Sequence, residues 1–449
     1  MSTAIFDNFQ APGNRPANFP FGISLGSGLS NGINDIGMPG QRGFGVGICP
    51  GPLPAGLVGM QGFDDPASDN YGNYQFSDGS VMVWTPAYYY KWGSGSNGVA
   101  LNDVDVKRFD AYETVAAAAA AGYALHRAFY DGGVQPGFFF DKYIVSNNGG
   151  IASSLRNGIV LTSAIRGGIT NTQYSTLTGA PANNLGGSFA AAKTRGANFF
   201  AASRFQRAAL GLLSYAHGRA STNTTYCAWY HSTNNFPKGN NNNALGDAQD
   251  AAILYQSEGG TVTGVGRTGS ANLFARTTHN GQNCGIADLN GLVWEFSPGL
   301  TSNGTNLYIM KTSVRMKDVT GSNTLATDAF GATGIAALYD DLGTTYEALW
   351  ATGANRQVAF GNATNQVFST ATSGLGWQYA GLGLPLAAGI GGTNSFGNDG
   401  LWDYKPNEMA PISGGYWTDS SGAGVWALVL NYGRAYSISG VGFRSALYL

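Results

Sequence analysis

Glycine limits what this chain can fold into more than any other feature of its sequence, because 68 of its 449 residues are glycine. Together with proline, it interrupts residues 1 to about 80 every few positions, as in the stretch GISLGSGLSNGINDIGMPGQ. Long helices are excluded there, and turns, extended segments and irregular loops are expected. Such a region would struggle to form a core alone. We therefore predict an N-terminal attachment or assembly arm at 1–80, which docks on a neighbour, and a larger domain at 81–449.

The charge content argues against several classes of partner. Charged residues make up 11% of the chain, less than half of the roughly 25% that is usual in soluble domains. The formal net charge is -2 and neither sign forms runs, so we expect no nucleic-acid binding and no attraction to anionic lipid. The hydrophobic content of 43% is enough for an ordered core, which leaves a surface of Asn, Ser, Thr and Gly.

Cysteine and histidine usage predicts no metal site and no cofactor. The cysteines lie far apart and without C-x-x-C spacing, so buried free thiols are expected rather than a disulfide framework or a zinc site. The histidines are scattered and are expected to be structural. These residues are Cys49, Cys227 and Cys284, and His126, His217, His231 and His279. The N-terminus does not match a secretory signal, and no stretch of about 18 apolar residues predicts membrane insertion.

The pattern of apolar residues predicts a mixed fold that is rich in short strands and long loops. Strands are predicted in SVMVWTPAYYYKW, GFFFDKYIVSN, GLVWEFSPG, NLYIMKTSV, QVFST, VWALVLNYG and VGFRSALYL. Helices are predicted in the alanine run that ends near Gly122, around 189–192 and around 203–215. Residues 150–190 predict a long surface excursion. Residues 222–275, which include KGNNNNALGD, predict a polar loop region.

Two glycine motifs match catalytic or nucleotide-binding patterns by their letters alone. Gly22 to Gly26 match G-x-S-x-G, but no strand precedes the serine and no helix follows it. Gly264 to Gly269 match the dinucleotide fingerprint, but no βαβ pattern surrounds them. Both are expected to be ordinary glycine-rich loops.

Four short sequence motifs, here called words, follow one another in an order that resembles a known family. These are CGIADLNGLVWE at 284–295, GGYW at 414–417, GRA at 433–435 and VGFR at 441–444. In order and wording they resemble the formylglycine-generating enzyme (sulfatase-modifying factor) domain, a member of the C-type lectin-like fold. FFFDKYIVSN and AAKTRGANFFAASRFQRAAL extend the resemblance over 138–449. It implies an α+β C-type lectin-like domain with long loops, and structural roles for Trp294, Glu295, Trp417, Arg434 and Arg444.

The chain departs from the enzymes of that family at the residues that perform catalysis. Those enzymes oxidise a substrate cysteine with a cysteine pair that binds copper between the GG-x-W and GFR words. Residues 416–443 contain no cysteine here, so we expect no enzymatic activity, and an oxidase that uses cysteines elsewhere stays as a disfavoured alternative. MVWTPAYYYKW, GYALHRAFYDGGVQPGFFFDKY and the terminal GVWALVLNYGRAYSISGVGFRSALY instead resemble C-type lectin-like domains of bacteriophage structural proteins, including those diversified by retroelements.

This resemblance implies a structural virion protein on the surface of a phage particle. One role is a fibre or tail-associated protein that attaches to a host glycan or protein receptor. The alternative is a head decoration or cement protein that only stabilises the capsid, and a bacterial lectin-like adhesin is a third possibility. Expected partners are other virion proteins through the arm, the host receptor and further copies of the chain, with a trimer as the assumed oligomer.

The predicted binding surface lies near the C-terminus. Aromatic rings among serine and asparagine residues suit sugar faces and apolar pockets. Strand alternation and turns are expected to leave several of these side chains outward: Tyr416, Asp419, Tyr432, Tyr436 and Ser437. The calcium-ligand words of lectins are absent, so recognition is expected to be calcium-independent, while a structural calcium held by carbonyls stays open.

Overall fold

The computed structural model describes residues 32–233, 236–319, 335–343, 346 and 356–449. The G-x-S-x-G match and residues 1–31 of the predicted arm lie outside the described residues. The described part is a mixed, sheet-rich structure with few helices. Its helices are α1 (Val115–Ala120), α2 (Leu185–Ala192), α3 (Arg204–Ala220), α4 (Ile335–Leu338) and α5 (Gly374–Gly381). Its strands are β1 (Leu57–Gly59), β2 (Asn73–Phe76), β3 (Val81–Pro86), β4 (Tyr88–Trp92), β5 (Val104–Arg108), β6 (Ala124–Leu125), β7 (Gly137–Asp141), β8 (Ser146–Asn148), β9 (Ile151–Ser153), β10 (Phe200–Ala201), β11 (Trp294–Phe296), β12 (Leu300–Ser302), β13 (Leu307–Met310), β14 (Tyr339–Asp341), β15 (Arg356–Ala359), β16 (Gly400–Asp403), β17 (Ile412–Ser413), β18 (Leu428–Val429), β19 (Val441–Gly442) and β20 (Ser445–Leu447).

The first large sheet has the strand order β1-β2-β3-β7-β20-β10. Strand β7 lies in its centre and is buried on both faces, because its successive side chains enter different cores. Phe138 and Phe140 belong to the main hydrophobic core, whereas Phe139 packs in a second cluster with Trp84 and Tyr74. The run of aromatic residues therefore forms a strand, as the sequence predicted, and the structure places this strand inside the sheet.

The N-terminal region is part of this sheet. Strand β1 pairs with β2, and β2 pairs with β3 in antiparallel register. Residues 73–76 are thus joined by backbone hydrogen bonds to the strand that begins at Val81, and residues 57–59 are joined to the same sheet through them. The boundary of the predicted arm at residue 80 stays a prediction.

The second large sheet has the order β15-β16-β18-β17-β11-β19 and brings together the C-terminal third of the chain. Strand β11 pairs antiparallel with β17 and parallel with β19. Residues near 295, 413 and 442, which are distant in sequence, therefore lie side by side. Three smaller sheets have the orders β12-β13-β14, β5-β4-β6 and β8-β9.

The longest described helix, α3, begins where the sequence places a capping box. The Ser203 hydroxyl accepts from the Gln206 backbone N–H, and the Gln206 side chain accepts from the Ser203 N–H. The helix is buried over most of its length, and Tyr88 donates to the carbonyl of Ala209. Both predicted helices in this region are confirmed as α2 and α3, and the alanine run is confirmed as α1 with Gly122 just beyond its end.

The structure contradicts the predicted strand in QVFST and part of the predicted surface segment at 150–190. Residues 366–370 (QVFST) form no strand, because the Val367 N–H pairs with the Asn102 side chain rather than with a neighbouring strand. Residues 150–190 were expected to run over the surface, but Thr162, Ser163 and Arg166 are fully buried. Their polar groups are satisfied inside the protein, since Arg166 forms a buried ion pair with Glu258.

Candidate ligand-binding cleft

A cleft of about 150 Å³ opens on one face of the second large sheet. We call it the C-terminal cleft, and define it by the residues that line it. These are Trp294, Trp402, Ile412, Tyr416, Asp419, Val429, Asn431, Tyr432, Tyr436 and Ile438.

Strand register builds the floor of the C-terminal cleft. Trp402 of β16 lies opposite Val429 of β18, which lies opposite Ile412 of β17. Residues directly opposite each other project from the same face of a sheet, so these side chains form one apolar strip. Ile412 also lies opposite Phe296, and Trp294 shares that face because it is two residues away on β11. The Trp294 and Trp402 rings meet edge to face with centroids 5.5 Å apart.

The first wall is the tight turn that follows β17. The Tyr416 N–H donates to Asp419 Oδ2 at 2.9 Å, and the Asp419 N–H donates back to the Tyr416 carbonyl. Gly415 precedes the turn with φ of 90°, and a Cβ there would lie 2.5 Å from the Cβ of Ala423. This position requires glycine, which explains the GGYW word in physical terms.

The second wall is the loop after β18. Tyr432 and Tyr436 stack with ring centroids 3.6 Å apart and nearly parallel planes, and a turn closed by the Tyr436 N–H and the Gly433 carbonyl holds them together. Ser437 is exposed and does not line the cleft. Its hydroxyl donates to the Ser163 carbonyl at 2.7 Å, which anchors the loop to the neighbouring segment.

The electrostatics of the C-terminal cleft centre on one carboxyl group. Burial raises the pKa of Asp419 to about 7, and the hydrogen bond from the Tyr416 N–H opposes this rise. Among the described residues Asp419 has no salt-bridge partner. The Oδ1 atom of Asn431 is buried and has no hydrogen-bond partner in the described protein. Burial, together with a hydrogen bond to Tyr432, raises the pKa of Tyr436. The cleft thus presents acceptor oxygens beside aromatic surface.

An ion cluster lies behind the floor, on the opposite face of β11. Arg444 donates to both carboxylate oxygens of Glu295, and Arg207 donates to Glu295 Oε1 at 3.2 Å. Arg444 also donates to the carbonyls of Asp141, Lys142 and Ala287. Burial lowers the pKa of Arg207 to about 10, and the Glu295 carboxylate works against this effect. The structure thus places Glu295 and Arg444, for which the resemblance implies structural roles, in one buried ion cluster.

The other predicted structural residues lie near the cleft. Trp417 is buried in a satellite cluster with Ile144 and Val265, and its ring meets Tyr416 edge to face. Arg434 is buried and donates to the Thr301 hydroxyl, so it fixes the loop between the two stacked tyrosines. Both residues support the walls of the C-terminal cleft from behind.

The structure brings four of the five predicted binding residues into one cleft, with the tyrosines half-buried rather than raised on outward loops. Five residues that line the cleft were not predicted from the sequence: Trp402, Ile412, Val429, Asn431 and Ile438. Trp402 and Ile412 reach the cleft through strand pairing, which leaves no mark in the sequence near them. Asn431 directly precedes Tyr432, and its nearness to a predicted residue was the one available signal.

The three cysteines are free and buried, as predicted. Burial raises the pKa of the Cys49 and Cys227 thiols to about 12 and also raises that of Cys284, which disfavours the thiolate form in each case. In the part of the chain that the structure describes, no group of three or more His, Cys, Asp or Glu side chains is placed to hold a metal ion. None of the described helices combines the length and apolar content needed to span a bilayer.

No family model and no curated protein matches the chain. Among solved structures, the "Major Tropism Determinant I1 Variant" matches at 11% identity with a TM-score of 0.29, covering 82% of this chain and 63% of that one. The "M1 Variant" matches at 10% identity with a TM-score of 0.30 and the same coverage. The "U1 Variant" matches at 10% identity with a TM-score of 0.29, covering 83% of this chain and 65% of that one. The chain therefore spans less than two thirds of these structures, and the likeness is weak.

Proposed function

We propose that the chain is a structural protein of a phage virion, displayed on the particle surface, and that the C-terminal cleft attaches the particle to a host receptor or glycan. The observation that supports this proposal most is the cleft itself. Five of its ten lining residues are aromatic, and four strands of one sheet supply its floor. Aromatic side chains held on a rigid frame bind at low entropic cost, which suits a recognition surface.

The finer assignment of the domain is part of the same proposal. We assign residues 81–449 to a C-type lectin-like domain and the N-terminal region to attachment within the particle. Four of the segments that carry the family resemblance support this assignment, because they meet around the Glu295 and Arg444 pair: 138–147, 191–210, 284–295 and 441–444. These segments lie up to 303 residues apart, as the bond from Arg444 to the Asp141 carbonyl shows. Such an arrangement is expected if those words specify the scaffold of a fold rather than its chemistry.

Two measurements on purified particles test the proposal. Gold-labelled antibodies against the chain should bind the particle surface, and their position separates a tail or fibre from a head. Soluble full-length chain should compete with particles for adsorption to host cells in a dose-dependent manner. Head labelling without competition would indicate the alternative cement role, and the absence of the chain from particles would refute a virion protein altogether.

A further inference from the structure

The C-terminal cleft has a composition that favours one chemical class of ligand. Beside its five aromatic residues it contains three aliphatic ones and two other polar ones, Asp419 and Asn431, and no Lys or Arg lines it. The negative faces of aromatic rings attract cations, most strongly for tryptophan. A cleft of this kind repels anions and favours a positively charged group.

The two polar residues strengthen this preference. The Asp419 carboxyl group receives a backbone N–H from Tyr416 but has no cationic partner among the described residues. A half-buried carboxylate without a cationic partner is partly desolvated at a free-energy cost, and a bound cation offsets that cost. The buried Asn431 Oδ1 atom, which receives no hydrogen bond in the described protein, adds its partial negative charge to the same cleft. Both features indicate that a positive charge belongs in the cleft and is supplied from outside.

The size and apolar lining of the cleft select the type of cation. Its volume of about 150 Å³ matches cavities that admit a compact group such as benzene, whereas a whole hexose would protrude. A primary ammonium or guanidinium group carries three or more N–H donors, whereas only two of the ten side chains that line the cleft, Asp419 and Asn431, offer carboxylate or amide oxygens. A quaternary ammonium group needs none, because methyl groups surround its charge and pack against aromatic rings.

On the basis of the proposed receptor-binding role, we propose that the C-terminal cleft binds the quaternary ammonium group of a cell-surface ligand, with Asp419 as its counter-ion. Trp294 and Trp402 contact the methyl groups from the floor of the cleft, and the stacked Tyr432 and Tyr436 close one side. Free choline is the simplest probe of this site.

Calorimetry of the full-length chain with choline tests the proposal without any mutation. Choline should bind, and its neutral carbon isostere dimethylbutanol should bind about 30-fold more weakly, because a desolvated cation–π contact contributes about that factor. Ethanolamine, with the same charge but no methyl groups, should also bind more weakly than choline. Equal binding of choline and dimethylbutanol, or no binding of choline, would overturn the proposal.

Asp419→Asn gives the matched protein variant, since it removes the charge and keeps an oxygen that accepts the Tyr416 N–H. Choline binding should weaken about tenfold, while Asp318→Asn, at an exposed aspartate, should leave it unchanged. A cooperative denaturation curve with a midpoint no lower than that of the native chain would show that Asp419→Asn is folded. If it were folded and bound choline like the native chain, Asp419 would not be the counter-ion.

The pH dependence provides an independent readout. Choline binding favours the carboxylate form of Asp419, whose pKa burial has raised to about 7, so affinity should increase from about pH 6 to about pH 8. The titratable groups that line the cleft beside it are Tyr416, Tyr432 and Tyr436, and burial raises the pKa of Tyr436 away from this window. Arg434, the charged group on the tyrosine loop, points to Thr301. A flat profile would contradict the role of Asp419.

Further experiments identify the source of the quaternary ammonium group, and they test the ligand of the cleft separately from the proposed virion function. Retention on a choline-bearing polymer would identify a glycan-type source, and retention on phosphatidylcholine vesicles a lipid headgroup. If free choline did not inhibit attachment of particles to host cells, the proposal of a quaternary ammonium ligand would be wrong, while the receptor-binding role would still stand. If the chain bound choline but was absent from particles, the proposed ligand of the cleft would stand and the virion assignment would be refuted.

Discussion

Glu295 lies in the ion cluster behind the cleft, and we predict that replacing it with Gln strongly lowers the free energy of unfolding. The side chains of Glu295 and Arg207 are 3% and 2% exposed, and that of Arg444 is fully buried. Glutamine keeps the shape and an acceptor oxygen but leaves two buried guanidinium groups without a counter-charge. Breaking a buried pair in this way costs about 3–5 kcal/mol. We therefore expect the free energy of unfolding to fall by that amount.

Urea denaturation followed by circular dichroism measures this loss. The midpoint should shift to lower urea with an unchanged slope, since the surface exposed on unfolding stays the same. Asp318→Asn is the matched control, because its ion pair with Arg315 has side chains 56% and 54% exposed and should contribute about 0–1 kcal/mol. If Glu295→Gln destabilised the protein no more than this control, the cluster would not hold the sheet together, and the scaffold role of these residues would be wrong.

Two further predictions concern single buried positions. Burial raises the pKa of Asp399 well above its ordinary value, so the folded state keeps this carboxyl neutral while the unfolded state ionises it above about pH 4. Native stability is thereby lost as pH rises above about 4, so the stability of Asp399→Asn relative to the native chain should increase with pH above that point. Paired denaturation curves measure this difference, and a difference that does not change with pH would contradict the prediction. Gly415→Ala should destabilise the protein by about 1–3 kcal/mol more than Gly98→Ala in the same assay, because both positions have positive φ but only the first places a Cβ 2.5 Å from Ala423. Equal effects of the two substitutions would show that the turn at Gly415 can accommodate a Cβ without a loss of stability.

Local patterns predicted many of the elements correctly. The apolar spacing around 203–215 predicted α3, and the aromatic run at 138–140 predicted the strand that the structure shows as β7. These signals lie within a few residues of each other, so they are visible in the sequence without knowledge of the fold.

Features that depend on pairing between distant segments were not predictable. Asn102 takes the place of a strand partner for Val367, and Glu258 neutralises Arg166 inside the protein. Polar composition alone suggested an exposed segment around Arg166, because nothing near it in sequence shows that its partner lies 92 residues away.

The candidate site shows the same division. Tyr416 and Tyr432 stood out because aromatic residues lie there among serine, glycine and asparagine. Trp402 did not, since it enters the cleft through its register with Val429. The walls of the cleft could thus be predicted from the residue types in the sequence, whereas its floor could be found only once the strand order of the sheet was known.

The binding of the full-length chain to host cells tests the central claim most directly, with Tyr432 and Tyr436 both changed to Ala. Removal of central aromatic side chains from a recognition surface costs about 2 kcal/mol or more, so affinity should fall by about 30-fold. Tyr404→Ala is the control, because this tyrosine is 36% exposed and does not line the cleft. Retained binding in the control and loss in the double variant is the predicted result. Equal binding of a folded double variant and the native chain would show that the C-terminal cleft is not the attachment surface.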